Sequence, residues 1–582
     1  MGRFRTIWLS LYSLALFGAA TAQALDTIEL EARLDDAERM VFGQMAVTFG
    51  PERPRNDLRF RLYPNAAADS ASPVMTVDSI TVNGEDVSDQ VAVDRTDLYV
   101  ALPPSLTTAP TAEVKLYFST EVPEAYERFG YFSDHYALET WFPMPAPIRD
   151  GQWRKIEYAP TAEPVADFYD FKVTLTYPDS LQLIAPGIKS VDTADEVTAH
   201  IILDGAHEMP LLFARQLACK SQNLNDTRID VYYGENSRPY VDTTMQLVLS
   251  TMQFMSDSIL TYPYDELIVV IGGTPAGFGL EMPRMIWLPS RTWDVVTIHE
   301  VIHQWFYGML NSDQAAHPWL DEAITEYFTI GLLRKSQETG SGAIEFLGLS
   351  VDYTTLLRVI GRQYFGLLPI THSASEYDWR TYQPTIYYKG TFLMQTITAL
   401  MGPEKEIAFW RDYASTYAMA RPTPEDFYST ADKYLEESGV TAAEIIGMVG
   451  DLDFSIVDIR SEEILEAEAD GADSLTAAGR YRSEVDWSAR YPLPSPVTIR
   501  VEFDGGELMD TVLTPTSGDH TLVFEGRDQP IISAVIDPEG VYAIDVDYLN
   551  NSLLLYSHSA GVRLFSGLTY LLQLLTGVAW SW

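Results

Sequence analysis

Residues 298–309 read IHEVIHQWFYGM and place two histidines, His299 and His303, four positions apart in an apolar stretch. On a helix, side chains at this spacing project from one face, so two neutral imidazoles can bind the same Zn²⁺. Glu300 is offset from His299 by about 100°, so it can face a water beside the metal. Zinc lowers the pKa of such a water and a carboxylate takes the proton, which is metal-assisted hydrolysis. The motif alone also fits a helix that buries two histidines.

A catalytic zinc needs a third protein ligand, and Glu322 in HPWLDEAITEYF (317–328) is the candidate. Eighteen residues separate it from His303. Glu322 falls early on the next predicted helix, so a turn can bring it back against the first helix. Glu326 lies one turn further and has two interpretations. It either orients a ligand histidine by a hydrogen bond or is a charge that faces solvent.

Together these motifs resemble the thermolysin-like zinc aminopeptidases typified by aminopeptidase N. That family has HExxH, eighteen residues and then a glutamate, as this chain does. Its HQWF and W-L-x-E-x-x-x-x-Y motifs occur here at residues 303–306 and 319–327. The resemblance implies one catalytic zinc, held by the two HEVIH histidines and Glu322, with Glu300 as the general base.

A motif upstream of the histidines implies a contact with substrate. The family has a Gly-x-Met-Glu-Asn strand whose glutamate holds the free α-amine, and GFGLEMP (277–283) stands in its place. The resemblance implies this role for Glu281, because a carboxylate pairs with an ammonium. Leu280 and Met282 replace the family's Met and Asn, which leaves exopeptidase restriction open. Glu139, in ALETWFP, is a weaker candidate for the Gln or Glu that the family places near the amine.

A motif downstream of the predicted zinc ligands contains a residue that the resemblance places in the reaction itself. TIYYKGTF (385–392) matches the family's Tyr-x-Lys-Gly motif, with Tyr387 in the position whose hydroxyl stabilises the tetrahedral intermediate. A phenol can donate a hydrogen bond to a developing oxyanion without carrying a charge of its own.

The pattern along the chain predicts a multidomain α+β protein. Residues 25–222 contain short alternating runs separated by turn residues, which predicts a β-rich domain. Residues 223–450 mix strands with helical spacing and correspond to the thermolysin-like zinc catalytic domain that the resemblance implies. Residues 451–552 return to strand patterns and predict a small β-sandwich. The tail, residues 553–582, is apolar and predicts an amphipathic helix that docks on its own protein, a membrane surface or a protein partner.

The net charge of the chain and its N-terminal residues indicate which binding partners and which cellular location to expect. Asp and Glu number 82 against 39 Lys and Arg, a net charge of -43, which disfavours binding to nucleic acid. Residues 1–24 have a basic start, an apolar core and a small-residue cleavage site, which predicts a signal peptide and export to the periplasm or outside the cell. The single cysteine, Cys219, excludes an intrachain disulfide.

The expected function is therefore an exported zinc aminopeptidase that acts on peptides with a free N-terminus. Two related alternatives are a glycyl aminopeptidase-like specificity and an endopeptidase that keeps the same zinc site. The eighteen-residue spacing disfavours the first. A third alternative, a non-catalytic binding module that keeps the fold, is disfavoured because every catalytic residue type is present. The side-chain preference of the substrate pocket cannot be predicted from the sequence.

Overall fold

The computed structural model describes most of the chain between residues 25 and 555. The described ranges are 25–66, 73–124, 128–193, 196–274, 277–337, 344–346, 349–351, 357–358, 368–448, 450–464 and 480–555. The predicted signal peptide, residues 1–24, lies outside these ranges, and so does the predicted amphipathic tail from residue 556 onward. Within the described ranges, no helix is both long enough and apolar enough to cross a membrane.

The N-terminal part is β-rich, as predicted, and its main element is an eight-stranded sheet. In pairing order its strands are Ile188–Thr193, Val197–Ala206, Tyr169–Tyr177, Thr27–Asp35, Met40–Phe49, Ala112–Glu121, Met75–Val82 and Glu85–Asp86. Thr27–Asp35 shows the reason for strand formation, because every second side chain is buried from Ile28 to Leu34. It pairs in parallel with Tyr169–Tyr177 and antiparallel with Met40–Phe49.

Smaller sheets complete the N-terminal part. One four-stranded sheet has the order Gln182–Ile184, Leu211–Ala214, His135–Leu138 and Phe129–Phe132. A second has the order Met144–Pro145, Asp57–Arg61, Asp97–Ala101 and Val91–Asp94. Ile148–Arg149 and Gln152–Trp153 form a hairpin. Many of their buried side chains share one hydrophobic core with the large sheet. Others from the first of these sheets pack in a second core with Trp287: Phe132, Ala137, Ile184, Leu212 and Ala214.

A mixed sheet begins the catalytic region. Its strands, in order, are Ala218–Leu224, Thr227–Tyr233, Glu266–Thr274 and Met285–Pro289. The last three run parallel. The side chains of Glu266–Thr274 and Met285–Pro289 are buried almost without interruption, as expected of parallel strands covered on both faces. The segments that carry Glu281 and the two HEVIH histidines follow the second and third of these parallel strands in sequence. Ile344–Phe346 and Leu349–Val351 form a further hairpin.

Helices make up most of the rest of the catalytic region. The α-helices of five or more residues are Val241–Ser258, Asp294–Phe306, Glu322–Gln337, Trp379–Gln383, Gly390–Met401, Pro403–Tyr417, Pro424–Leu435 and Ala442–Ile446. Pro384–Lys389 is a π-helix. Short helical turns are Tyr63–Ala66, Ser88–Gln90, Pro104–Thr107, Glu235–Tyr240, Pro318–Leu320 and Ala374–Glu376.

The chain divides into two compact units. The first contains residues up to 356, 371–387 and 407–430, and the second contains 357–370, 388–406 and 431 onward. All six residues to which the sequence analysis assigns a role in catalysis, amine binding or zinc binding belong to the first unit.

The second unit carries the C-terminal strands. A three-stranded sheet is formed by Asp453–Ile464, Arg480–Arg490 and Gly518–Arg527. A four-stranded sheet has the order Leu508–Leu513, Val497–Phe503, Ile531–Ile536 and Ser552–Leu554. Val497–Phe503 alternates buried and half-buried side chains along its length, which is the pattern of a strand with one face against a core.

Candidate metal centre

The HEVIH segment lies on the helix Asp294–Phe306, which is buried from Thr297 to its end. His299 and His303 are one turn apart and their ring centroids are separated by 4.6 Å. The helix is buried because apolar side chains surround the histidines, among them Trp305, whose indole N–H donates to the Leu260 carbonyl at 2.6 Å. The two imidazoles are therefore held in an environment with little water.

Glu322 is the first residue of the helix Glu322–Gln337, which packs against the HEVIH helix. Its Oε2 lies 3.2 Å from His299 Nε2 and 3.3 Å from His303 Nε2. The donor atoms of the three side chains all lie within 4.8 Å of one another. Eighteen intervening residues thus bring Glu322 to the predicted face of the HEVIH helix.

The outer nitrogen of each imidazole contacts a second carboxylate. Glu326 Oε2 lies 3.0 Å from His299 Nδ1, and Asp321 Oδ1 lies 2.6 Å from His303 Nδ1. A carboxylate only accepts, so each Nδ1 donates. Each Nε2 faces Glu322 and can bind a metal once it has lost its proton. Of the two interpretations of Glu326, the structure favours the orienting one, because Glu326 is buried.

The three inner donors fit a tetrahedral zinc ion. Nitrogen and oxygen ligands lie about 2.0–2.1 Å from Zn²⁺, so two of them on a tetrahedron are about 3.3 Å apart. The distances of 3.2 and 3.3 Å from Glu322 Oε2 to the two Nε2 atoms match that edge. Two neutral imidazoles and one carboxylate are also a donor set that suits a catalytic zinc. The residues present therefore fit the metal that the motif predicts.

Glu300 lies beside this group without belonging to it. Its side chain is buried, and Oε2 makes no hydrogen bond among the residues that the structure describes. Burial raises the pKa of Glu300 to about 7. The backbone of Gly279 approaches so closely that a Cβ there would lie 2.5 Å from Glu300 Oε1, closer than real contacts allow. Glycine at this position therefore leaves room for the Glu300 side chain in its present orientation.

Glu281 projects into the same site because its two neighbours project away from it. Leu280 and Met282 are buried in a core that includes Trp287, and Leu280 exchanges two backbone hydrogen bonds with Trp287 at 2.8 and 2.9 Å. Alternation along this extended segment leaves Glu281 on the opposite side. Its carboxylate joins Glu300 and His303 in a second group of donor atoms within 4.8 Å. Burial and then the Glu163 carboxylate raise the pKa of Glu281 well above its usual value.

Tyr387 lies on the π-helix Pro384–Lys389 and reaches Glu322. Its hydroxyl donates to Glu322 Oε1 at 2.5 Å, and its ring stacks on His299 with centroids 5.7 Å apart. Burial and the charge of Glu322 raise the pKa of Tyr387 well above its usual value, so the phenol keeps its proton. A neutral hydroxyl next to the three donors can donate to a substrate oxygen. Insertions of this π type are frequent at functional sites.

The weaker candidate, Glu139, has a different environment. It is fully buried and accepts a hydrogen bond from Arg128 at 2.9 Å. Arg128 also forms a two-pronged ion pair with Glu163. Burial raises the pKa of Glu139 to about 8. The described partner of Glu139 is thus a guanidinium of its own domain.

A match to a protein-family model identifies the domain that contains these residues. Residues 289–447 match the peptidase family M1 domain. The chain carries a peptidase family M1 domain. It is a zinc metallopeptidase of the aminopeptidase N-like group, with one catalytic zinc, and a His/Glu cluster able to hold that metal is present. A comparison with curated proteins gives no match.

Solved structures share the fold of the M1 peptidase. A mutant M1 zinc metallopeptidase from Deinococcus radiodurans has a TM-score of 0.54 and 15% identity, over 73% of this chain and 94% of that one. Another structure of an M1 zinc metallopeptidase from that organism has a TM-score of 0.52 and 15% identity, over 72% and 92%. Aminopeptidase A of Legionella pneumophila, in complex with aspartic acid, has a TM-score of 0.62 and 14% identity, over 90% of this chain and 60% of that one.

Several residues of the M1 site were not found from the sequence. Asp321 immediately precedes Glu322 in the WLDE motif, and this adjacency is the one signal that could have found it. Gln314 donates to Asp321 Oδ2 and accepts from the Glu163 backbone N–H at 3.3 Å. It therefore connects the β-rich part to the partner of His303. Gln304 lies next to His303 and binds the backbone around Glu281.

Proposed function

We propose that this M1 peptidase is an exported aminopeptidase that removes N-terminal residues from peptides. The observation that carries the proposal is the position of the Glu281 carboxylate, within 4.8 Å of donor atoms of Glu300 and His303. A substrate ammonium held by Glu281 brings the first peptide bond, rather than an internal one, to the general base. The sequence leaves endopeptidase activity open because Met282 replaces the family's Asn. In the structure Met282 is a core residue, so this replacement does not support endopeptidase activity.

The proposal assigns one role to each of these side chains, and the position of each side chain supports its role. His299, His303 and Glu322 would hold zinc, which when bound would supply Lewis acidity toward the scissile carbonyl and lower the pKa of a neighbouring water. Glu300 takes a proton from that water and passes it to the leaving nitrogen. Tyr387 shifts its hydrogen bond from Glu322 to the carbonyl oxygen as negative charge develops there. Glu326 and Asp321 hold the two imidazoles in the orientation and tautomer that this arrangement requires.

One peptide prepared with a free and with an acetylated N-terminus tests the proposal. The zinc-loaded enzyme is expected to release single residues in order from the free form. It is expected to cleave the acetylated form at least about a hundredfold more slowly, because the Glu281 carboxylate loses its charged partner. Products are identified by mass spectrometry over a time course. Internal fragments from either form, or equal rates for the two forms, would contradict the proposal.

Export and surface contact are further parts of the proposal. The leader at residues 1–24 supports export, and the apolar tail at residues 553–582 supports contact with a membrane surface or a protein. Fractionation of cells that express the full chain or a chain ending at residue 560 tests both. Full-length enzyme in the cytoplasmic fraction would contradict export, and identical partition of the two chains would contradict a role for the tail.

A further inference from the structure

Gln304 makes three hydrogen bonds to one turn of backbone. It follows His303 on the HEVIH helix and is 1% exposed. Its Oε1 accepts from the Arg284 N–H at 2.8 Å, and its Nε2 donates to the carbonyls of Met282 at 3.1 Å and Glu281 at 3.4 Å. A glutamine carries one acceptor group and two donor hydrogens, so this side chain uses both kinds of group on the turn that carries Glu281.

The turn held by Gln304, residues 281–284, has a conformation that needs support. Arg284 has a φ of 60°, in the left-handed region that non-glycine residues rarely adopt. Such a residue persists when its surroundings hold it there. The Arg284 N–H is itself one of the groups that Gln304 binds, and the Met285 N–H closes the turn on the Met282 carbonyl at 3.0 Å.

The HEVIH helix is therefore connected to the segment around Glu281 at two points. Gly279 contacts the Glu300 side chain on one side of Glu281, and Gln304 binds the backbone on the other. The zinc ligand His303, the general base and the carboxylate assigned to the amine are thus held by a single helix. A shift of the turn would change the distance between the amine and the bond to be cut.

We infer that Gln304 is a positioning residue that sets Glu281 at a fixed distance from the zinc ligands and so determines recognition of the substrate's free α-amine. The inference rests on the proposed role of Glu281 as the amine-binding carboxylate. On this inference, Gln304 affects substrate specificity without itself contacting the substrate. A misplacement of about 1 Å far from the chemistry can cost a hundredfold in rate, so a backbone contact of this kind is sufficient for the effect.

A pair of probes that differ only in the amine isolates this role. Alanine hydroxamate and propionohydroxamate share the group that binds a metal, and only the first carries an α-ammonium. Calorimetry with the zinc-loaded enzyme gives both dissociation constants. Their ratio, propionohydroxamate over alanine hydroxamate, is the amine ratio and measures binding without turnover. Glu281→Gln is expected to bring the amine ratio close to one.

Gln304→Met keeps the volume of the side chain and removes all three hydrogen bonds. It is expected to lower the amine ratio about tenfold, which corresponds to one or two buried hydrogen bonds, while zinc content stays at that of the wild type. In the Glu281→Gln background, Gln304→Met is expected to cause no further change, because the two residues act as one unit. If Gln304→Met does not fold, Gln304→Asn is one methylene too short to reach the turn and is expected to lower the amine ratio as well.

Gln314 offers a matched control. It is equally buried and binds Asp321, the partner of His303, on another part of the site. Gln314→Met is expected to weaken zinc binding and to leave the amine ratio of the zinc-loaded protein unchanged. An unchanged amine ratio in Gln304→Met, or an equal loss in both glutamine variants, would overturn the inference. An unchanged ratio in Glu281→Gln would instead overturn the proposed role of Glu281.

Discussion

Replacement of Glu300 by glutamine is expected to lower kcat for alanine para-nitroanilide by about 10²–10⁴-fold, the usual contribution of a general acid–base group. Glutamine has nearly the same shape, so it fits beside Gly279, but it cannot take up a proton. Zinc content is expected to stay unchanged, because Glu300 is outside the group formed by His299, His303 and Glu322. Steady-state kinetics and metal analysis on the same preparation measure both quantities.

A control for this variant is Glu235→Gln. Glu235 is exposed and has a surface ion pair with Arg238 at 3.4 Å, and such pairs contribute little. Turnover by Glu235→Gln is expected to equal that of the wild type. A Glu300→Gln enzyme that keeps more than about a tenth of the wild-type kcat would remove Glu300 from the role of general base, since that role accounts for at least about a hundredfold.

Replacement of Glu322 by glutamine is expected to weaken zinc binding by more than about a hundredfold. Loss of an outer partner of a ligand costs about 10–100-fold in affinity, and the proposed role of Glu322 is to supply a ligand oxygen itself. Glutamine is neutral, so the attraction between the carboxylate and the cation is also lost. Competition with a chromogenic chelator measures the affinity, and the change in Tm on adding zinc gives an independent readout.

Glu326→Gln is expected to cause an intermediate loss of zinc affinity. It removes the carboxylate partner of His299 and leaves the three donors in place, so its loss of affinity is expected to be smaller than that of Glu322→Gln.

The affinity for zinc is also expected to depend on pH. Burial and the charge of His303 lower the pKa of His299, but hydrogen bonds to Glu322 and Glu326 outweigh these effects and raise the pKa to about 9. Zinc therefore displaces a proton from the site, and affinity is expected to rise as the pH increases toward 9. Equal zinc affinity in the wild type and in Glu322→Gln would exclude Glu322 as a ligand.

The zinc group could be predicted from the sequence because its geometry is local. Two histidines four apart on a helix share a face by helix geometry, and the connection at residues 307–321 brings Glu322 back to that face. The motif around Glu281 was harder to interpret, because Leu280 and Met282 differ from the family pattern. The structure explains the difference, since both side chains are buried in the core around Trp287.

The pairing of distant strands and the supporting polar residues could not be predicted. Nothing in the pattern of Thr27–Asp35 shows that its parallel partner is Tyr169–Tyr177, because any alternating strand can pair with many others. Gln304 belongs to the HQWF motif and Gln314 to no motif, but nothing in the sequence around either residue shows which groups it contacts after folding. The π-helix at Pro384–Lys389 reads in the sequence as an ordinary helix start, because helix type depends on tertiary packing.

The most direct test of a zinc-dependent aminopeptidase is a titration of the metal-free wild-type enzyme with zinc. The protein is stripped with a chelator, and hydrolysis of alanine para-nitroanilide is followed as zinc is added. The single-ion site predicts no turnover without metal and a linear rise that ends at one zinc per chain. Turnover in the fully stripped enzyme, or no recovery after one equivalent of zinc, would contradict it.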